Sequence, residues 1–489
     1  MRRSFTSALL LTCLGLGSLP AVLTATARDA APPTPLEPGE PGVAPACLMT
    51  PFGSAAIKPG VPLEEAMREM EILLERMDDG GARFQPGGRW GPDSQAGAPV
   101  SLTYSFPSDG LIVDGNINGT GDFQPNVLHE RLGELFGDEE TWKQSVRDMF
   151  DSWTAITGNV YTEVSDDDAP WGTRGPFNGS AGRGDVRLVM VRVTPTQFFA
   201  FNFFPDHGDM VIDSEWPWGR FGGSFPEWRN MLAHEHGHGQ GLFHTCPQDG
   251  TKLMEPTINT GFIGPQLDDA LSAQFLYGDR LEPNQTPVSA VDLAALGLSN
   301  TGFPLSLEGL SLHSSDDVDL FRVQSFGGTT LTFQVSPTGT EYIQGPQTSA
   351  CDTGAPFDTL RQADLVVDIL RPDFGIAETI DFGGLGQVEG RLEFMMDEPG
   401  DWFVQVRSGG FNPSVQAYFL GISTLGGGAL SGDLTGDGCV NSVDLAVLIA
   451  QWYTPGADIN GDSMTDSSDL AVVLATWSPT DCGSGSGAR

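Results

Sequence analysis

With 64 Asp and Glu against 25 Lys and Arg over 489 residues, the chain carries a formal charge of −39. Such a surface repels nucleic acid and anionic lipid and favours cations, which argues against polyanion binding and directs attention to calcium. The length is that of several domains, each able to bury a core.

The N-terminus reads MRRSFTSALLLTCLGLGSLPAVLTATA, with Arg2 and Arg3 before an apolar stretch and Ala25-Thr26-Ala27 closing it. This is the pattern of a secretory signal peptide over residues 1–27. Gly15, Gly17 and Pro20 break the apolar run, which is shorter than a membrane span. The expected product is exported, secreted or held at the cell surface, with no membrane span. Loss of Cys13 with the signal leaves Cys47, Cys246, Cys351, Cys439 and Cys482 in a disulfide-permitting compartment. That number is odd, so at least one is unpaired or bonded to another chain; Cys439 with Cys482, bracketing the C-terminal module, is the pairing to test first.

Residues 28–98 read as a leader or propeptide, rich in Pro, Ala and Gly at first, then helical in pattern over Leu63–Met77. A folded domain is expected over 99–280. SLTYSF alternates as a strand does, and ETWKQSVRDMFDSW places Trp142, Val146, Met149, Phe150 and Trp153 on one helical face. GDVRLVMVRV and GDMVIDSEW read as further strands.

Next comes HEHGHGQGLFH, residues 234–244, which packs four of the seven histidines into eleven positions. His234 and His238 lie four apart, so on a helix they share one face and one cation. His236 points elsewhere on that helix. Ser224 and Glu227 read as its capping box. Gly241 can turn left-handed and end the helix, which lets His244 swing back as a third ligand. Three neutral imidazoles suit one Zn²⁺ and leave a coordination position open, the arrangement of a catalytic site. Glu235 adjoins the first ligand without having to be one, as a general base for attack on a carbonyl requires.

Beyond Gly278 the runs DLFRV, TLTFQV, LVVDIL, RLEFMM, DWFVQV and AYFLGI, separated by Gly, Pro and Asp, predict an antiparallel β-sandwich over 286–424. After Gly426–Gly428 the segment DLTGDGCVNSVDLAVLIAQW returns as DINGDSMTDSSDLAVVLATW, within 429–482. Asp433, Thr435, Asp437, the Cys439 carbonyl, Asn441 and Asp444 occupy positions 1, 3, 5, 7, 9 and 12 of a calcium loop. Asp458, Asn460, Asp462, the Met464 carbonyl, Asp466 and Asp469 repeat the order. Asp replaces the usual bidentate Glu at position 12, and Ser463 stands where Gly is expected at position 6. About two Ca²⁺ are expected in this module.

The eleven-residue form HExxHxxGxxH, followed by Leu253-Met254-Glu255-Pro256, resembles the zinc signature and Met-turn of the metzincin metalloproteases. Thr245 after the third His and Pro two residues past Met254 are similar to matrixins within that clan. So, in order, are LTYSF, WTAITGNVYTEVSDD, GDVRL, FNFFPDHGDMVIDSEW and DDALSAQFLYG. The resemblance implies zinc on His234, His238 and His244, Glu235 as general base, Met254 in the Met-turn, and a peptide substrate extended along an edge strand near Phe198 to Phe204. It also implies calcium at Asp213 and Glu215. Phe201 and Val211 stand where the family's structural-zinc histidines would be, so no zinc of that type is expected. The sandwich looks like the pre-peptidase C-terminal domain of secreted bacterial peptidases. The duplicated loops, each followed by one helix, resemble dockerin type I modules, with Ser442-Val443 and Ser467-Ser468 where that family meets its cohesin partner.

The expected architecture is therefore multidomain: an α+β metzincin catalytic domain with a twisted mixed sheet and an active-site helix, an all-β sandwich, and a small α module of paired half EF-hands. The expected function is a secreted zinc endopeptidase, tethered or targeted through residues 429–482 by a cohesin-like or cell-surface partner. The rival reading is a non-catalytic peptide-binding scaffold or adhesion protein, against which the intact Glu235 argues.

Overall fold

The computed structural model describes residues 88–477 apart from 93–94, 114–122, 178–181, 193–199, 206, 220–223, 256, 346–353, 412–413, 427–431, 436–439 and 460–463. The signal, most of the leader with its Leu63–Met77 helical pattern, and Cys47, Cys351, Cys439 and Cys482 lie outside these residues. All described residues belong to one unit, Ala44–Arg489, of mixed α/β structure with several sheets.

The first region is built on a five-stranded sheet in the order β4-β1-β5-β7-β6. Its strands are β1 (Ser101–Ser105), β4 (Val160–Glu163), β5 (Val186–Val191), β6 (Ala200–Asn202) and β7 (Met210–Asp213). A two-residue pair, β2 (Ile112–Val113) with β3 (Gln124–Pro125), lies apart. The strands run parallel except edge strand β6, which is antiparallel to β7. Against the sheet pack α1 (Leu128–Phe136), α2 (Glu139–Thr157), α3 (Pro226–Gln240) and α4 (Leu267–Tyr277).

Helix α2 follows its sequence pattern closely. Asp138 caps it by accepting from the Thr141 amide at 2.9 Å, Glu139 and Glu140 favour the positive end of the dipole, and left-handed Gly158 ends it. Its buried face is Trp142, Val146, Met149, Phe150 and Trp153. Burial of each such side chain contributes roughly 2 kcal/mol.

Helix α3 starts differently from expectation. Its N-cap is Phe225 at φ 48°, with no side-chain cap, and Pro226 opens the first turn. The Ser224–Glu227 capping box does not form: Ser224 lies outside the cap, and proline's fixed φ sets the entry instead. Except for Arg229, residues Glu227 to Gln240 are buried, so this helix runs through the interior and has no polar face.

Trp90, within the stretch read as leader, is 2 % exposed and belongs to the core of this region. Its indole donates to the Gly239 carbonyl at 2.7 Å, and its amide to the Tyr277 hydroxyl at 3.0 Å. The segment thereby fastens the end of α3.

The second region consists of two sheets sharing one core. One has the order β15-β14-β17-β10-β8, the other β16-β11-β18-β9. The strands are β8 (Val291–Asp292), β9 (Leu305–Leu312), β10 (Val318–Phe326), β11 (Thr329–Pro337), β14 (Ala363–Leu370), β15 (Ile376–Ile380), β16 (Glu389–Met396), β17 (Pro399–Phe411) and β18 (Gln416–Gly426). All their pairings are antiparallel except β8 with β10. Alternation supplies the core: Phe321, Val323, Val404 and Val406 face Leu331, Phe333, Val335 and Ile422.

A separate hairpin, β12 (Glu341–Gln344) with β13 (Ala355–Asp358), projects toward α4. Leu267, Leu271 and Phe275 of α4 cluster there with Tyr342, Phe357, Val415 and Ala417. The last region has two short helices, α5 (Ser442–Ala450) and α6 (Ser467–Ala475), around Val440, Leu448 and Val473.

Candidate metal centre

Helix α3 delivers His234 and His238 one turn apart. Gly241, at φ 105°, ends the helix, and a Cβ there would sit 1.7 Å from the Gly88 carbonyl oxygen. Only glycine fits. The chain then turns back and brings His244 to the other two.

The three imidazoles meet through one nitrogen each. His244 Nε2 lies 3.3 Å from His234 Nε2 and 3.2 Å from His238 Nε2. The other ring nitrogens are committed, since His234 Nδ1 donates to the Leu253 carbonyl and His238 Nδ1 to the Leu242 carbonyl, each at 2.7 Å. A carbonyl only accepts, so both rings carry their proton on Nδ1 and turn an Nε2 lone pair inward. Burial holds all three below the usual histidine range, His234 at about 4. Three nitrogens this close, two of them with lone pairs turned inward, suit a cation between them. The buried group His234, His238 and His244 could therefore hold a metal ion.

Glu235 is fully buried beside the first of these residues. Met254 is 1 % exposed, and its thioether occupies the space a side chain at position 237 would need: a Cβ on Gly237 would come within 2.3 Å of Met254 Sδ. Gly237 lies between the two helical histidines, so the turn at Met254 packs directly under them. Asp269 holds that turn, accepting from the Leu253 amide at 2.7 Å and the Met254 amide at 2.9 Å. Burial, with the neighbouring Asp268 charge, pushes its carboxyl up to about 7. Sequence reading did not single out Asp269; its place three residues into α4 as half of a capping box with Gln266 was the available signal.

His236 stays out of the group, as its position on the helix requires. It packs edge-on against Phe150 and Tyr161, at 4.8 and 4.9 Å between centroids, and burial depresses it to about 3.

Other expected residues are more dispersed. Asp213 is buried at the end of β7, where its carboxylate accepts from the Glu215 amide at 3.1 Å, while the Glu215 side chain is 63 % exposed beside Arg192. They do not join any group of three ligands among the described residues. Phe201 and Val211 are buried in an apolar cluster with Val189, Val191 and Phe203. Phe198 lies outside the described residues.

In the duplicated loops Asp437, Cys439, Asn460 and Asp462 lie outside the described residues. The two position-12 carboxylates are buried and bonded to their own loops. Asp444 accepts from the Thr435 amide at 2.9 Å and the Asn441 amide at 2.8 Å; Asp469 accepts from the Ile459 amide at 2.7 Å and the Asp466 amide at 2.8 Å. Asn441 and Asp466, at position 9, complete capping boxes on α5 and α6. Asp433, Asp458 and the Met464 carbonyl occupy the same two loops, Asp433 with Thr435 Oγ1 donating to it at 3.3 Å.

One further group escaped the sequence reading. Ligand atoms of Glu282, His313 and Asp317 fall within 4.8 Å of one another where β9 and β10 meet the chain leaving α4. His313 Nδ1 lies 2.6 Å from Asp317 Oδ2, so the ring and the carboxylate are already paired with each other. Two short segments over thirty residues apart give no local signal of such a meeting.

Set beside known proteins, the chain matches no family model, and no curated protein matches it.

Proposed function

We propose that the chain is a zinc-dependent endopeptidase of matrixin-like metzincin type, exported and targeted by a calcium-binding, dockerin-like module. The observation that carries this reading is the convergence of three histidine Nε2 atoms, with buried Glu235 next in the chain to the first and the Met254 thioether beneath. The donor set fits zinc: three neutral imidazoles, two of them with their outer nitrogens anchored on carbonyls. When bound there, zinc supplies Lewis acidity to a substrate carbonyl and to an attacking water.

The rest of the chemistry falls to the chain's own groups. Glu235 takes a proton at its carboxylate as water attacks, then returns it to the leaving amine. The Leu253 and Leu242 carbonyls keep His234 and His238 in one tautomer throughout. Edge strand β6, antiparallel to β7, offers a peptide an extended main-chain partner.

The Asp437- and Asp462-bearing loops bind about two Ca²⁺, and calcium at Asp213 and Glu215 remains part of the proposal. Exposed Ile449 and Leu474 sit at equivalent positions of the duplicated helices. They support a partner surface of cohesin-like type alongside Ser442-Val443 and Ser467-Ser468. The disulfide at Cys246 suits an exported protein. No helix of the described residues is long and apolar enough to cross a membrane.

Zinc content of the purified chain, with cleavage of a mixed peptide library by wild type, Glu235→Gln and His238→Ala, tests the reading. Zinc at one per chain in wild type and in Glu235→Gln, with cutting by wild type alone, is expected. Zinc without cutting transfers the site to the peptide-binding scaffold reading.

A further inference from the structure

A series of hydrogen bonds connects the centre to the second region. His234 Nδ1 donates to the Leu253 carbonyl, and the Leu253 amide donates to Asp269. Asp268, the next residue, is 2 % exposed and accepts from two side chains of strand β12: the Tyr342 hydroxyl at 2.5 Å and Gln344 Nε2 at 2.9 Å. The same strand end meets the chain just past the third histidine, where the Gly345 amide donates to the Cys246 carbonyl at 2.8 Å. Cys246 is itself disulfide-bonded.

Burial pushes the Asp268 carboxyl up, opposed by the bonds from Tyr342 and Gln344. A carboxylate this deep is costly unless hydrogen-bonded. Within the first region the Lys252 charge and the Thr245 side chain also favour its ionised form, while Tyr342 and Gln344 come from a hairpin more than seventy residues later. Removing these two donors under-satisfies a buried carboxylate at the start of α4, with Asp269 next to it still required to hold the Leu253–Met254 turn.

We infer that Tyr342 and Gln344 are positioning residues for the histidine centre: by satisfying Asp268 they fix the start of α4, and through Asp269 the turn that orients His234 and seats Met254. The sandwich is then part of the centre's supporting structure rather than a passive spacer. This inference rests on the proposed zinc reading for its metal readout, but the coupling itself resides in the chain's own bonds.

The apolar contacts of Tyr342 and Phe357 with Leu267, Leu271 and Phe275 would dock the hairpin by themselves. Tyr342→Phe keeps that packing and removes only the hydroxyl, so it separates docking from positioning. The experiment uses the full mature chain as wild type, Tyr342→Phe, Gln344→Leu and the double variant, with Arg371→Ala as a remote control on the sandwich surface. Two quantities are read: the rate of zinc release to a chelator, and hydrogen exchange at the Leu253 and Met254 amides in metal-free protein.

Positioning predicts zinc release about 10-fold faster in the double variant, in the range found for outer partners of metal ligands. It also predicts several-fold faster exchange at the two amides, beyond any change at α2 amides that reports a global loss of stability, with the Arg371→Ala control unchanged. Unchanged release and exchange in the double variant overturn the inference and leave the hairpin a docking element. If the double variant does not fold, Tyr342→Phe alone decides by the same criteria. A wild-type chain that binds no zinc overturns the metal reading, and the exchange measurement then judges the coupling by itself.

Discussion

The histidine centre and the duplicated C-terminal loops, both proposed to bind metal, are supported in opposite ways. The three histidines stand in a region whose core runs from Trp90 to Tyr277, and each helical imidazole is oriented by a backbone carbonyl. The loops are held by two nine-residue helices around Val440, Leu448 and Val473, and their position-12 carboxylates bond loop amides. A large core can hold repelling donors in place without help from a metal. On the proposed reading, a module this small takes the ion as part of its fold.

The sharpest way to break this comparison is to remove the metals. A calcium chelator is expected to abolish the protected amides of α5 and α6, while a zinc-selective chelator leaves those of α2 and α3 in place, both followed by hydrogen exchange. Loss of α3 protection with zinc, or survival of α5 without calcium, reverses the contrast.

Cutting into the large core comes next. Trp153→Ala removes a fully buried indole that donates to the Ala233 carbonyl beneath the ligand helix, and is expected to cost about 3–5 kcal/mol in chemical denaturation. Trp90→Ala is expected in the same range, so a chain trimmed to begin at residue 99 unfolds more readily than one that begins before Trp90.

A third prediction uses pH. Burial, then the charges of Asp317 and Asp279, raise the Glu282 carboxyl from 4.5 to about 8. The folded chain thus holds a proton there that the unfolded chain releases. The stability it contributes is complete below about 4.5 and is lost as pH rises through about 8. Glu282→Gln keeps the neutral form, so relative to wild type it should gain on the order of 2 kcal/mol across that window. Native-state hydrogen exchange at sandwich amides, in chelator, reads the difference.

Gly237→Ala probes the contact beneath the histidines. Its Cβ would require Met254 Sδ to move from 2.3 Å, and about 1–3 kcal/mol of stability should be lost with weaker zinc binding. The smallest effect separates the two loops from each other. Ser463→Gly restores the residue that the first loop has at Gly438 and should tighten calcium binding at the second loop a few-fold by calorimetry.

Periodic elements and closely spaced motifs were legible in the sequence. The face of α2 from Trp142 to Trp153, the strands holding DLFRV, TLTFQV and DWFVQV, and the return of His244 past Gly241 all follow from local patterns. What escaped depended on distant partners. Trp90 stands alone in a Gly-rich stretch, and nothing nearby indicates that it closes the end of α3. The α3 entry at Phe225 obeys proline geometry and tertiary packing rather than the Ser224 cap. Tyr342 and Gln344 carried no signal in the sequence, because their acceptor Asp268 lies on another region's helix.

The central claim is that His234, His238 and His244 form a zinc centre at which Glu235 moves the proton. It is tested most directly by incubating purified residues 28–489, loaded with zinc and calcium, with a mixed peptide library and identifying cut sites by mass spectrometry, beside Glu235→Gln. The account predicts cutting by wild type that disappears in Glu235→Gln while both chains retain one zinc. Cutting that persists in Glu235→Gln, or its absence in a wild type that holds its zinc, would contradict it.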